Sequence, residues 1–364
     1  MAKVFFTGFP GFLGSELVPR VLARSDEHEV VCLVQPKFAP LAQKRAAEIA
    51  AAEPRFADRI SLVEGDITQP SLGLPIDQYT RLAGEVSEIF HLAAVYDLSV
   101  KRELAMKVNV QGTRQILDFA GRCTRFDRLQ YVSTCYVSGR YPGIFAEDNL
   151  IKGQTFNNFY EETKYLAEVE VQERMRRGLP ATIYRPAIVV GDSRTGATQK
   201  YDGPYYVIRW LLRQPGLALM PVIGDSRRTR LNVVPREFVI DAIAYLSTAP
   251  VASGRVYQLA DPEPLTIDEL LDALGKATRR MMLRLPLPLG LAKAAIDHLP
   301  GVYALMRIPS SAIDYFVHPT YYATTHTRAD LAGTGIEVPP LASYLGNLVA
   351  FVRAHPEIAS DAMV

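Results

Sequence analysis

The stretch FFTGFPGFLGSEL, residues 5–17, sets three glycines at a strict interval: Gly8, Gly11 and Gly14. It follows a β-type run, KVFFT (3–7), and opens an amphipathic pattern, FLGSELVPRVLAR (12–24). A strand that turns through glycine into a helix aims backbone N–H groups and the positive helix end at the turn, which suits a phosphate. A side chain at Gly11 would block the approach of a pyrophosphate, and one at Gly14 would hold helix and sheet apart. Alone, the pattern is an ordinary glycine-rich turn. On the first strand of a βαβ unit it predicts a bound dinucleotide.

The rest of the first half supplies that unit. Strand-like runs at EVVCLV (29–34), ISLVE (60–64), EIFHLAA (88–94), LQYVST (129–134) and ATIYRP (181–186) are short and apolar without alternation. Helical patterns at 41–52, 103–123 and 158–177 fall between them. Strands buried on both faces belong to a parallel sheet covered by helices, so the expected class is α/β, a doubly wound Rossmann sheet. After about residue 195 the rhythm lapses. A helix near 236–247, a strand near 255–259 and a helix near 266–278 follow, and ASYLGNLVAFVRAHP closes the chain. The expected division is a Rossmann domain over 1–195, to which 233–260 returns, and a smaller C-terminal substrate-binding subdomain from 196–232 and 261–364.

Composition narrows the function. A formal net charge of +1 gives no global field for nucleic acid. Three scattered cysteines, Cys32, Cys123 and Cys135, make neither a disulfide framework nor a C-x-x-C metal site, and point to a reducing compartment, the cytoplasm. Residues 1–7 run straight into the glycine stretch and do not read as a signal peptide. No apolar run approaches the roughly 18–20 residues of a membrane span.

TGFPGFLG resembles the TGxxGxxG loop of the extended short-chain dehydrogenase/reductase superfamily. The resemblance implies cofactor contacts along Gly8, Phe9, Pro10, Gly11, Phe12, Leu13 and Gly14. It also implies an Asp66 contact to the adenine edge, in GDI beside Ile67. Small residues Ala93 and Ala94 in HLAA would lie against the cofactor, and Pro186, in RPAIVVGDSRTG, in a loop at the nicotinamide end. His91 reads as structural, because a lone histidine beside a strand is more often packing than a base. An NAD site places an acid about 20 residues past the glycines, on the ribose 2′-hydroxyl. Here the second strand runs into Gln35, Pro36 and Lys37, with Lys44 and Arg45 beyond and no acid between Val30 and Ala47. Cations attract a 2′-phosphate, so the expected cofactor is NADPH, met by Gln35, Lys37 and Arg45.

Tyr160 and Lys164, in YEETK, lie four apart and so on one helix face. Tyr160 is the only tyrosine followed four residues later by lysine. The resemblance makes Tyr160 the proton donor, Lys164 the ribose-binding cation, Thr134 (or Ser133) the hydroxyl on the substrate oxygen, and Asn109 a positioning residue. Pro235 in LNVVPREFVIDAI stands where sugar-nucleotide enzymes of the superfamily commonly carry an aspartate. With GDSRTG and the C-terminal pattern, this is more similar to the thioester reductase and fatty acyl-CoA reductase group. The implied activity is NADPH-dependent reduction of an acyl thioester, coenzyme A- or carrier-bound, to aldehyde or alcohol. The rivals are reduction of a hydrophobic ketone or alcohol, and a non-catalytic dinucleotide sensor. The implied partner is a hydrophobic or thioester substrate, with a homodimer left open.

Two further segments carry expectations. Arg227, Arg228 and Arg230 in RRTR are placed either on a substrate phosphate or on a solvated loop. Residues 280–325 are apolar, proline-broken and without evident regularity, and are expected to wall the outer substrate site, with leucines and methionines lining it. A looser variant rests that segment on a membrane surface.

Overall fold

Phe5 and Phe6, neighbours on strand β1 (Lys3–Thr7), point to opposite faces and are both fully buried. Phe5 packs on Phe119 with ring centroids 4.9 Å apart, and Phe6 stacks on Phe90 at 5.0 Å. A strand buried on both sides needs helices above and below it. In this computed structural model, which describes residues 3–359 except Gly301, Val302, Ala304 and Leu305, β1 is the middle of such a sheet.

The other strands are β2 (Glu29–Val34), β3 (Ile60–Glu64), β4 (Val86–His91), β5 (Arg128–Val132), β6 (Gly143–Phe145), β7 (Ala181–Pro186), β8 (Ile188–Val190), β9 (Leu217–Val222), β10 (Val233–Pro235), β11 (Val256–Leu259), β12 (Met281–Pro286) and β13 (Thr320–Tyr322). Seven form one sheet in the order β11-β7-β5-β4-β1-β2-β3, every pairing parallel. The order reverses at β1, where the chain leaves toward β2 on one side and later returns to β4 on the other. Crevices outside the carboxyl ends of strands at such a point are where doubly wound folds hold ligands. The remaining pairs, β8 with β10, β9 with β12 and β6 with β13, are parallel two-stranded ribbons.

Helices α1 (Gly14–Leu22), α2 (Ala39–Ala52), α3 (Ile76–Glu85), α4 (Arg102–Ala105), α5 (Gly112–Ala120), α6 (Phe159–Arg176), α7 (Pro204–Leu212), α8 (Arg236–Leu246), α9 (Ile267–Thr278) and α10 (Leu289–His298) complete the frame. Leu17, Val21, Ile243 and Leu246 of α1 and α8 cover the Phe6 face. Leu82, Ile116, Phe119 and Val171 of α3, α5 and α6 cover the Phe5 face. A separate core gathers α7, β9, α9, β12 and the closing helix Leu341–Ala354 around Ile208, Leu271 and Leu348.

Two expectations need correction. The helix expected over 103–123 is broken by a π-helical stretch, Met106–Gln111, between α4 and α5. Residues 280–325 are not irregular: they hold β12 and α10. Met281, Leu283 and Leu285 face out while Met282 and Arg284 turn partly inward. Because the outward residues are apolar too, burial alternates along β12 but polarity does not, which hid the strand period. Of this segment, Gly301, Val302, Ala304 and Leu305 lie outside the described residues.

One buried ion pair ties three strand and helix ends together. Arg185 on β7 and Glu168 on α6 are both wholly buried and meet at 2.6 Å. Ser133, just past β5, donates its hydroxyl to the same carboxylate at 2.5 Å, and Gln172 donates to it at 3.0 Å. Arg185 also donates to the carbonyls of Glu147 at 3.1 Å and Asn149 at 2.8 Å. Removing one partner of a buried pair strands the other charge. Arg185→Ala is therefore expected to cost about 3–5 kcal/mol of stability. The urea midpoint measures this, and a loss under about 1 kcal/mol, the range of an exposed pair, would show the charge to be tolerated alone.

Candidate active site

A cavity of about 540 Å³ opens at the carboxyl ends of the sheet strands. Its first wall is the glycine turn. Gly8 adopts φ +91°, a conformation other residues rarely take, and a Cβ there would lie 2.8 Å from the Leu92 Cβ. At Gly14 a Cβ would stand 2.5 Å from the Gly8 carbonyl oxygen, and at Gly11 2.8 Å from the same atom. The turn is thus closed on itself by contacts that only glycine permits, and α1 starts at Gly14 close against it. Gly8, Phe9, Pro10, Gly11, Phe12, Leu13 and Gly14 all line the cavity. So do Gln35 and Lys37 past β2, Asp66 and Ile67 past β3, Ala93 and Ala94 past β4, and Pro186 at the end of β7. Lys37 sits with its ammonium 4.9 Å over the Phe38 ring. The glycine cradle, the cation and the open strand ends fit a dinucleotide.

Arg45 is not among these residues. It lies along α2, paired with Glu48 at 2.8 Å, on a turn of helix beyond the cavity edge. Asn109 is also outside the lining. It sits in the π-helical stretch, buried, where its side chain accepts from the Val95 N–H at 2.9 Å and donates to Thr163 at 3.0 Å. It therefore fixes the loop past β4 and the helix residue beside Lys164, and touches Lys164 only through that neighbour. π-Bulges of this kind recur at functional sites.

Thr134, Tyr160 and Lys164 meet on one wall. Asn158 caps α6, its side chain accepting from the Glu161 N–H at 3.0 Å, so Tyr160 enters on the first turn and Lys164 one turn later. The Thr134 hydroxyl donates to the Pro186 carbonyl at 3.4 Å and accepts from the Tyr136 N–H at 3.3 Å, on the same wall as the Tyr160 phenol. Burial pushes the Tyr160 phenol well above its ordinary range, with the neighbouring Thr134 hydroxyl opposing. Lys164 donates to the Val132 carbonyl at 2.8 Å and to the Tyr131 hydroxyl at 3.2 Å. Burial brings its ammonium down to about 8, with Glu168 opposing. Ser133, the near alternative to Thr134, is committed to Glu168. His91 bridges the Thr7 and Thr113 hydroxyls at 2.7 and 3.0 Å, and burial, then Lys164, holds it neutral, down to about 3.

Sequence reading missed the other side of the site. Tyr96 meets the Tyr160 ring edge-on at 5.0 Å, and Lys200 stands 4.7 Å over Tyr96 while pairing with Asp202 at 3.1 Å. Tyr96, Lys200 and Asp202 all line the cavity. No local pattern marks them, because the fold brings together residues from two distant loops. The outer wall is apolar: Leu231, Leu270 and Leu274, then Ile308, Ala312 and Phe316. The expected wall from 280–325 is therefore supplied by its later part, and by other side chains than the leucines and methionines anticipated. The RRTR arginines are absent from the lining. Arg227 and Arg228 are almost fully exposed near Asp268 and Asp225, and Arg230 donates to the Pro264 carbonyl, which is the solvated-loop alternative.

Among the described residues no cluster of histidine, cysteine and acid side chains could hold a metal ion, and no helix is long and apolar enough to cross a membrane.

A family profile described as male sterility protein, an NAD-binding domain, matches residues 6–243. Among curated relatives, the non-canonical nonribosomal peptide synthetase FrzA of a Cladobotryum species is 27% identical over 76% of this chain and 28% of its own. The fatty acyl-CoA reductase wat of Drosophila melanogaster is 26% identical over 66% of this chain and 53% of its own. The chain thus spans about a quarter to a half of the length of these relatives. Among solved structures, the terminal R domain from the myxalamid PKS-NRPS pathway superposes with a TM-score of 0.81 at 28% identity, covering 99% of this chain and 92% of that one.

The cradle yields a direct test. Gly14→Ala puts a methyl group against the Gly8 carbonyl and is expected to weaken dinucleotide binding at least about tenfold, whereas Arg45→Ala should leave it unchanged. Quenching of protein fluorescence on titration with the dinucleotide measures both.

Proposed function

Because the chain belongs to the male sterility protein family of NAD-binding domains, we propose that it reduces an acyl thioester with NADPH, releasing an aldehyde that a second turnover can take to the alcohol. The observation that carries this reading is the meeting of Thr134 and Tyr160 on the wall of a cavity shared with the glycine cradle, with Lys164 one turn of α6 beyond Tyr160. The fatty acyl-CoA reductase relative acts, by its name, on a thioester, and the apolar outer wall suits an acyl chain. Residues 1–195 with 233–260 form the nucleotide half in this reading, and 196–232 with 261–364 the substrate half. Lys37, the cation at the cavity edge with no acid beside Gln35, supports NADPH over NADH. Three unpaired thiols, Cys32, Cys123 and Cys135, support a cytoplasmic setting.

A bound reduced nicotinamide would supply the hydride. The chain supplies the rest. Thr134 and Tyr160 converge on the position where charge develops on the carbonyl oxygen, which is where fixed donors are most effective. Tyr160, kept protonated by burial, gives its phenolic proton to that oxygen. Lys164 stabilises the phenolate left behind and offers its remaining N–H to a ribose hydroxyl. The Tyr160 phenolate then takes the hydroxyl proton of the tetrahedral hemithioacetal back as its C–S bond breaks, so that thiolate leaves and the carbonyl re-forms as the aldehyde.

NADPH oxidation against a panel of acyl-CoAs, aldehydes and ketones tests the assignment, and turnover of ketones alone would replace it with ketone reduction. Tyr160→Phe is expected to bind NADPH as the parent does and to lose turnover by about 10²–10⁴-fold, the usual worth of a positioned acid. Stopped-assay rates at saturating substrate measure this.

The pH profile follows from Lys164. Its charged form is required, and its pKa is depressed to about 8, so the cation is present below that pH and lost above it. The value of kcat/KM is expected to fall as pH rises through about 8, approaching tenfold per unit. A profile flat to pH 10, near an unperturbed lysine, would show that burial does not govern this group.

A further inference from the structure

The ribbon of β9 and β12 turns one apolar face to solvent. Its register pairs Met281 with Leu217, Leu283 with Leu219 and Leu285 with Pro221. Met281 is 75% exposed, Leu217 60% and Leu283 51%, with Leu219 and Leu285 close behind. Leu291, at 61%, extends the surface onto α10. So much contiguous exposed apolar surface marks an interaction site.

The β9 edge of this ribbon is capped by side chains at Leu219. Trp210 Nε1 and Gln214 Nε2 donate to the Leu219 carbonyl at 3.0 and 3.1 Å, and Gln214 accepts the Leu219 N–H at 2.8 Å. Backbone pairing is thereby blocked at that position, one of the ways edge strands are protected. What is left open is the face. It offers leucine, methionine and proline without the aromatic or arginine anchors that usually dominate protein interfaces.

Cations gather at one end of it. Arg279 and Arg280 lead directly into Met281, whose N–H bonds the Gly216 carbonyl at 2.8 Å. Arg213 stands four residues before Leu217. Beside them lies a shallow cleft of about 610 Å³ lined by Arg209, Arg213, Arg307 and Arg353 and by no acidic residue. Arg353 is fastened to the Thr278 carbonyl at 2.8 Å, which sets the cleft next to the start of β12. Burial, then the like charges of Arg209 and Arg307, disfavour the charge on Arg213. Arg284, by contrast, is engaged with Asp268 and Asp272. From 279 to 300 the chain carries four lysines and arginines against one acid, Asp297.

We propose that this surface docks the protein on an anionic phospholipid membrane, the β9–β12 face entering the acyl boundary and the arginine cleft receiving headgroup phosphates. Apolar side chains beside a cationic rim are the two signals that reversible interfacial binding combines. The inference rests on this surface alone and is independent of the reaction. It gives the membrane variant a different element from an amphipathic helix.

Co-sedimentation with phosphatidylcholine vesicles, with and without phosphatidylglycerol, tests it on the full chain. Binding is expected only with phosphatidylglycerol present, and weaker at high salt. Met281→Ser with Leu283→Ser, and separately Arg213→Glu with Arg280→Glu, should each lower the vesicle affinity at least about tenfold while NADPH binding is retained. Absence of vesicle binding by the parent protein overturns the proposal, as does binding that both double variants keep. Full competition by millimolar inorganic phosphate would reduce the cleft to a site for small anions. A concentration-dependent dimer that Met281→Ser with Leu283→Ser dissolves, or an acidic protein that the arginine variant alone releases, would give the face to that partner instead.

Discussion

Two charges without exposed surface, Arg185 and Glu168, hold the site in register. Taking them out of water costs several kcal/mol per ion, and attraction alone repays this only with good geometry and further hydrogen bonds. The chain provides those bonds from Ser133 and Gln172 on the acid side and from two carbonyls, of Glu147 and Asn149, on the base side. Three of the residues involved stand close in sequence to the cavity wall. Ser133 precedes Thr134, Glu168 follows Lys164 by one turn, and Arg185 precedes Pro186. Any slip of α6 against the sheet would have to break the pair. An apolar contact could slide, whereas the planar guanidinium fork fixes direction as well as distance.

The same low-dielectric setting acts in opposite senses on the two titratable groups of the proposed reaction. Burial favours the neutral form of each, raising the Tyr160 phenol and lowering the Lys164 ammonium. The phenol therefore stays an acid while the lysine comes close to physiological pH. Groups with their pKa values shifted in this way are where acid and base work is assigned. Glu168 opposes the loss of charge on Lys164, so the pair that positions the wall also keeps its cation.

The outer half of the molecule follows a different logic. Its inward face, through Leu270, Leu274 and Ile308, makes the substrate wall. Its outward face, through Met281 and Leu283, meets solvent. One apolar composition thus serves two surfaces from different elements, α9 and the segment after α10 for the wall, β9 and β12 for the exposed face. The arginines sort in the same manner. Those of RRTR are spent on a solvated loop, while Arg209, Arg213, Arg307 and Arg353, drawn from three distant segments, converge.

The doubly wound parallel-sheet class and the glycine turn were legible in the sequence because both leave local marks. Strand runs such as KVFFT and EVVCLV are short, apolar and punctuated, and Gly11 and Gly14 are demanded by contacts with Gly8, a few residues away. The four-residue spacing of Tyr160 and Lys164 needs only a helix. Tertiary structure decided what depends on distance between segments. It alone left Arg45 outside the cavity, set Asn109 on the Val95 backbone, and committed Ser133 to Glu168 while Thr134 and Tyr160 came to one cavity wall. It also brought Tyr96 against Tyr160 under Lys200, and exposed the β9–β12 face. A residue's partners along the chain are fixed by backbone geometry, which sequence periodicity reports. Its partners across the chain are fixed by which faces must pack to leave water, and no local pattern reports that.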